Sequence, residues 1–176
     1  YLNLPAFEAL SKKEDPRQTR FKESFLTFYQ NCDPLTAKGL VQKQDSRYLI
    51  HNPPPLPPNT EAMDRIADLD FERDVHPYYK KQGKVKALDT IQFSITTHRG
   101  CYGECHFCAI AVHQGRRIQW RSEASVLREA RKLIDHENFK GVFNDVGGPT
   151  ANMYGFDCGR KKTKGSCPDK CCVYPT

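Results

Sequence analysis

Three cysteines crowd one short stretch, HRGCYGECHFCAIAVHQG, at Cys101, Cys105 and Cys108. Their spacing is C-x3-C-x2-C. Most protein iron–sulfur clusters take four cysteines; three thiolates on a tight loop would hold three irons of a cubane and leave the fourth iron open to another ligand. Zinc is the structural competitor. It would accept the same thiolates together with His98, His106 or His113. Zinc sites more often join two C-x2-C knuckles at a distance, and this loop carries one. On the residues alone both metals stay open.

A second group, Cys158, Cys167, Cys171 and Cys172, could hold zinc or an auxiliary iron–sulfur cluster. Adjacent side chains such as Cys171 and Cys172 diverge and rarely bind one metal together, so free thiols are the alternative there. Cys32 stands apart and reads as inert. Clustering at metal-ligand spacings, rather than spread as in small secreted scaffolds, points to a reducing cytoplasm. Arg99, Arg116, Arg117 and Arg121 flank the first group, and Arg160 to Lys164 (RKKTK) lies inside the second. With a net charge of +6, these residues suit either a solvated surface or a site for a carboxylate, a phosphate or nucleic acid.

The elements that must position these groups can be read in outline. TIQFSITT, Thr90 to Thr97, has the β-branched and aromatic content of a strand and runs straight into the cysteine loop. Ser122 caps a helix to about His136, with Val126, Leu127, Ala130, Leu133 and Ile134 on its apolar face. KGVFND, Lys140 to Asp145, reads as a second buried strand, ended by the turn VGGPT. Strand, loop, helix, strand argues for parallel pairing. Upstream, residues 16–30 form a helix capped by Asp15 with Pro16 in its first turn; Phe21, Phe25 and Phe28 make a core-facing stripe. Gly39 to Asn52 suits a hairpin around KQDS. NPPPLPP, Asn52 to Pro58, is an extended connector. A short helix over 60–69 starts at Asn59 or Thr60, residues 76–86 read as loop, and the tail from Ala151 is cysteine-rich loop. At 176 residues, 38% hydrophobic and 27% charged, the composition is that of a globular protein without an apolar run of membrane-span length. The start at Tyr1 rather than Met, without signal-peptide features, leads us to expect a piece of a longer chain.

The cysteine loop resembles the signature of radical S-adenosylmethionine (SAM) enzymes, C-x3-C-x-aromatic-C, with Phe107 in the aromatic position. HRGCYGECHFCAIAVHQGR, FKGVFNDVGGPTANMYG and NPPPLPP…MDRIADLDFERDVHP are similar to the YgiQ-type subgroup, from about Leu4 to the C-terminus. The resemblance implies a 4Fe–4S cluster on Cys101, Cys105 and Cys108. SAM would chelate the fourth iron through its amino and carboxylate groups and be cleaved reductively to a 5′-deoxyadenosyl radical. It further implies a glycine-rich turn for the methionine end of SAM, here Gly147 and Gly148; Pro149 comes after them where the family usually has an acidic residue. The implied fold is α/β: the first βαβ portion of an incomplete radical SAM (TIM-like) barrel, residues 88–176 with a cysteine-rich tail 151–176. An irregular, proline-rich α+β segment, residues 1–87, precedes it. Longer relatives of this kind add a cobalamin-binding-like region upstream and the rest of the barrel downstream.

We therefore expect a radical SAM enzyme of unassigned substrate, with a flavodoxin or ferredoxin as electron donor and no membrane partner. His113 would pack on the loop or face the substrate, Arg99 would hold negative charge near the cluster, and Asp145 would end a strand where barrel enzymes place functional side chains. The exposed strand edges of two barrel strands alone would favour self-association. The alternative is a zinc-stabilised binding module, with nucleic acid as its partner because of the basic loops.

Overall fold

The computed structural model describes residues 1–10, 12, 18–149, 151–168 and 172. In chain order it runs β1 (Leu2–Leu4), α1 (Phe7–Leu10), α2 (Thr19–Gln30), β2 (Leu40–Gln44), β3 (Arg47–His51), α3 (Thr60–Ala67), α4 (Pro77–Lys80), α5 (Leu88–Ile91), β4 (Ser94–Thr96), β5 (His98–Arg99), α6 (Ile110–Gln114), β6 (Gln119–Trp120), α7 (Glu123–Ile134), β7 (Asp145–Gly147) and α8 (Gly159–Lys164). The fold is mixed α/β with small sheets. Two compact units form, each from segments distant in sequence. The first takes Tyr1–Pro57, Tyr102–Arg117 and Cys158–Thr176; the second takes Pro58–Cys101 and Ile118–Asp157. Among the described residues no helix is long and apolar enough to cross a membrane.

In the first unit, β2 and β3 form the expected hairpin. Gln44 pairs with Arg47, which leaves Asp45 and Ser46 as the loop, and Asp45 takes the left-handed φ of 51° that aspartate tolerates in turns. β1 adds in parallel on β2. Helix α2 starts at Thr19, later than the expected 16, after Gln18 in a left-handed conformation; Asp15 and Pro16 lie outside the described residues. The phenylalanine stripe is not a core. Phe21 and Phe25 are more than half exposed, and only Phe28 is half-buried, edge-on to the His51 ring. Beyond α2, Asp33 accepts from both the backbone N–H and the hydroxyl of Ser166, each at 2.8 Å, and so ties the tail to this unit. That tail contains the helix α8 where loop was expected.

The second unit has its core on the β4–α7–β7 crossover. β4 and β7 pair in parallel, Ser94 with Asp145 and Thr96 with Gly147. Phe93, Ile95 and Leu133 are buried, with Val126, Ala130, Phe139 and Phe143 packed against them. The Phe139 ring meets Phe93 edge-on at 5.2 Å, a geometry favoured by aromatic quadrupoles. Ser122 caps α7 by accepting from Ser125 N at 3.1 Å, and Asn59 caps α3 by accepting from Ala62 N at 2.9 Å. Asp64 of α3 then accepts from Ser122 N and Oγ, at 2.9 and 2.6 Å, joining the two helices. Arg121 is buried; it donates to the Thr96 and Ser125 carbonyls and pairs with Glu129, which Arg73 also meets.

Four expectations are corrected here. The first strand is shorter than 90–97, because Leu88–Ile91 closes a helical turn through Gln92 N to Leu88 O at 2.9 Å. The second strand is Asp145–Gly147, not 140–145, so Asp145 begins a strand instead of ending one. His76 caps a short helix inside the 76–86 segment. On α7, Leu127 and Ile134 are exposed and Ser125 is fully buried beside Arg121, so the apolar face is narrower than the pattern implied.

Leu133→Ala should remove about 2–5 kcal/mol of unfolding free energy, as large-to-small changes at buried sites do, while Ile134→Ala, 56% exposed, should cost less than about 1 kcal/mol. Urea unfolding measures both; equal losses would contradict this placement of the core.

Candidate metal and cofactor site

The cysteine loop is an excursion whose two ends are clasped. β5 and β6 pair antiparallel, His98 with Trp120 and Arg99 with Gln119. Everything between them, residues 100–118, is the loop. Cys101 is buried at the close of the second unit. Cys105 is exposed and Cys108 half-buried, both in the first unit. Cys105 and Cys108 sit on one turn, with Cys108 N donating to Cys105 O at 3.0 Å. Glu104 enters that turn with φ of 48°. α6 comes next and stops at Gly115, whose φ of 89° favours glycine.

Among the described residues no disulfide ties up Cys101, Cys105 or Cys108, and ligation of a cluster or of zinc would use their thiolates. Among the described residues no group of three His, Cys, Asp or Glu is gathered for a metal ion. In residue type and in sequence spacing the donor set suits an iron–sulfur cluster. Phe107 lies between two of these cysteines and is 92% exposed. It lines a cavity of about 740 Å³ with Phe25, Leu26, Phe28, Cys105 and Cys108. Phe25 and Phe28 of the α2 stripe thus wall the cysteine-loop cavity, while Phe21 lies outside its lining. His106 and His113 are exposed. Arg99 is exposed and lines a separate cavity of about 580 Å³ with Arg73, Arg121 and Glu129.

In the second unit, Gly147 and Gly148 line a cavity of about 580 Å³ with Thr97, Asp145, Asn152 and Tyr154. The two glycines differ. A Cβ on Gly147 would meet nothing nearer than Asp145 Oδ1 at 3.6 Å, whereas one on Gly148 would lie 2.2 Å from His98 Nε2. Glycine is needed at 148 because a buried imidazole lies against its backbone. His98 is fully buried. Its Nδ1 meets Thr97 Oγ1 at 2.9 Å, and its Nε2 has no hydrogen-bond partner among the described residues. The Tyr154 hydroxyl donates to Arg121 O at 2.6 Å and closes the far wall. Pro149 is half-buried beside the glycines.

Of the tail cysteines, Cys158 caps α8 and is half-buried, Cys167 is buried and Cys172 half-buried; Cys171 lies outside the described residues. Cys32 donates to Phe28 O at 3.1 Å, and burial raises its pKa, consistent with an unreactive thiol. Of the basic residues around the two cysteine groups, Arg121 and Lys161 are buried and Arg116 is half-buried, while Arg99, Arg160, Lys162 and Lys164 are exposed. Arg116 packs 4.0 Å over the Tyr29 ring and pairs with Glu104. Lys161, buried, donates to Arg116 O at 3.0 Å. Sequence reasoning missed this cluster and the His98–Gly148 contact. The signals available were Glu104, a carboxylate set between two cysteines, and His98, at the head of the loop.

The chain matches the family described as radical SAM N-terminal over residues 1–94, a segment that ends before Cys101. It is 57% identical over 176 residues to a UPF0313 protein of Fusobacterium nucleatum subsp. nucleatum, 49% over 175 residues to one of Methanocella arvoryzae, and 45% over 174 residues to one of Thermotoga maritima. These alignments take in 99% of this chain and 28–30% of each relative, so the chain spans under a third of their length. No solved structure matches it.

Gly148→Ala should destabilise the fold by about 1–3 kcal/mol, the usual cost of overpacking, with Gly147→Ala far milder; thermal unfolding of the two variants checks the contact, and equal melting would refute it. Burial lowers the His98 pKa below its ordinary 6.5, with the Ala151 backbone opposing more weakly. The unfolded chain then takes up the proton first as pH falls, so stability contributed by neutral His98 is present above about pH 6.5 and lost below it, at no more than about 1.4 kcal/mol per pH unit. His98→Gln should flatten that acid-side slope in urea titrations at several pH values; an unchanged slope would contradict it.

Proposed function

The chain belongs to the radical SAM N-terminal family, and from that premise we propose that Cys101, Cys105 and Cys108 hold a 4Fe–4S cluster beside which S-adenosylmethionine binds. Cluster and SAM, when bound, would together supply the chemistry, a one-electron reductive cleavage of SAM that generates a hydrogen-abstracting radical. What carries the reading is the C-x3-C-x2-C loop after β4, a strand paired in parallel with the one that ends in Gly147 and is followed by Gly148. The paired strands belong to the start of a barrel, and the activity belongs to a chain of the relatives' length. The alignments with UPF0313 proteins extend through the cysteine loop, beyond the segment matched by the family.

Each residue has a task in this reading. The three thiolates bind iron and leave one iron open. Gly147 and Gly148 offer backbone N–H and C=O groups to the amino-acid end of SAM, with Pro149 fixing the chain after them. Phe107, exposed between Cys105 and Cys108, would be available to contact SAM. A flavodoxin- or ferredoxin-like donor supplies the electron, and a reducing cytoplasm keeps the thiols from forming disulfides. The alternative, a nucleic-acid-binding zinc module, drew on Arg99, Arg116, Arg117, Arg121 and the run from Arg160 to Lys164; Arg116, Arg121 and Lys161 make internal contacts, whereas Arg99, Arg160, Lys162 and Lys164 are exposed.

Anaerobic loading with iron and sulfide, then electron paramagnetic resonance of the reduced sample, tests it. The expected result is a 4Fe–4S signal that is lost in a Cys101→Ala, Cys105→Ala, Cys108→Ala variant and shifts when SAM is added. Retention of zinc with no iron signal in a chain of the relatives' length would contradict it.

A further inference from the structure

We infer that Glu104, Tyr29, Arg116 and Lys161 form a clamp that presets the Cys105–Cys108 turn, making them positioning residues for the metal site proposed above; the inference rests on that reading for its purpose. All four residues lie in the first unit.

Glu104 sits immediately before Cys105, and its carboxylate is 8% exposed. The Tyr29 hydroxyl of α2 donates to Glu104 Oε1 at 2.5 Å. Arg116 Nε lies 2.5 Å from the same oxygen, an ionic contact without hydrogen-bond alignment. The Arg116 guanidinium stacks over the Tyr29 ring, and its Nη2 donates to Tyr29 O at 3.3 Å. Residues 104 and 116 bracket the two cysteines and α6, so their pairing closes that segment at its ends. Lys161 of α8 secures one end again. Its ammonium donates to Arg116 O and lies 5.2 Å from the centre of the Tyr102 ring.

The balance of effects decides that this cluster has a role. Burying a carboxylate, a guanidinium and an ammonium is costly, and such groups persist only when well paired. A loop that only joined two elements would not need them. Glu104 also adopts a positive φ that a non-glycine residue takes at some cost. A turn held in this way loses little conformational entropy when a metal binds, so the metal is held more tightly. Burial, reinforced by the bond to Glu104, raises the Tyr29 pKa and keeps its phenol a donor.

The test uses Glu104→Gln and Tyr29→Phe in the full chain under anaerobic conditions. The first removes the charge and keeps the size; the second removes the donor, keeps the charge and keeps the ring beneath Arg116. In the metal-free protein, alkylation of half-buried Cys108 by iodoacetamide should accelerate about ten-fold or more in both variants, the scale of one lost hydrogen bond to a charged group. The rate at Cys158 and the circular dichroism should stay unchanged. A rise shared by both variants reports loosening of the turn, since only one of them alters the charge. After iron and sulfide loading, both variants should hold less iron per chain and give a broadened paramagnetic signal. Unchanged Cys108 rates in Tyr29→Phe overturn the clamp, whether or not Glu104→Gln folds. If the rates rise while the unsubstituted chain loads no iron, the clamp stands and the metal reading fails.

Discussion

A parallel pairing only three residues long, Ser94–Thr96 against Asp145–Gly147, sets where the chemically capable parts of the second unit lie. It is held less by its own few hydrogen bonds than by α7, which crosses over between the two strands and buries Leu133 against Phe93 and Ile95. The strands run the same way, so the chain leaves both of them at the same end. After β4 come His98 and Cys101; after β7 comes Gly148. The register then presses the His98 imidazole against the Gly148 backbone, with Thr97 N donating to Gly147 O at 2.7 Å. A shift by one residue would turn Ile95 out of the core and lose that contact as well.

Around this pairing the chain uses its charges internally. Glu129 is shared between Arg73 and Arg121, and Arg121 further ties the Thr96 carbonyl to the first turn of α7. In the first unit Glu104 and Arg116 do the equivalent work on the cysteine loop. Buried ion pairs contribute modestly to net stability, because desolvation offsets much of their attraction, but breaking one leaves an uncompensated charge. Their effect is therefore geometric. They fix which backbone segments lie together, in a chain whose core is small and whose strands are short.

The parts of this design written in local chemistry are legible in the sequence. Ser122 and Asn59 announce their helices through side-chain oxygens that cap backbone N–H groups. Asp45 and Ser46 sit where a two-residue hairpin turn must fall, and the cysteine spacing stands out by itself. The features that escape reading are set by distant partners. β7 contains aspartate and glycine, which have poor strand propensity, and becomes a strand only because β4 lies beside it; the better strand-formers at 140–144 lie outside it. The α2 stripe has helical spacing, yet periodicity shows only that Phe21, Phe25 and Phe28 share a face, not what covers it. Here Phe25 and Phe28 border the cysteine loop. The Tyr29–Glu104 contact joins residues 75 apart, a separation that no local pattern can reveal.

The central claim is that three thiolates from this loop bind an iron–sulfur cluster and leave one iron for SAM. Mössbauer spectroscopy of the chain, loaded anaerobically with isotopically enriched iron, tests it most directly. The account predicts that one iron differs from the other three, and that its isomer shift moves when SAM is added while theirs stay in place. Four equivalent irons indifferent to SAM, or a sample that excludes iron and keeps zinc, would contradict it.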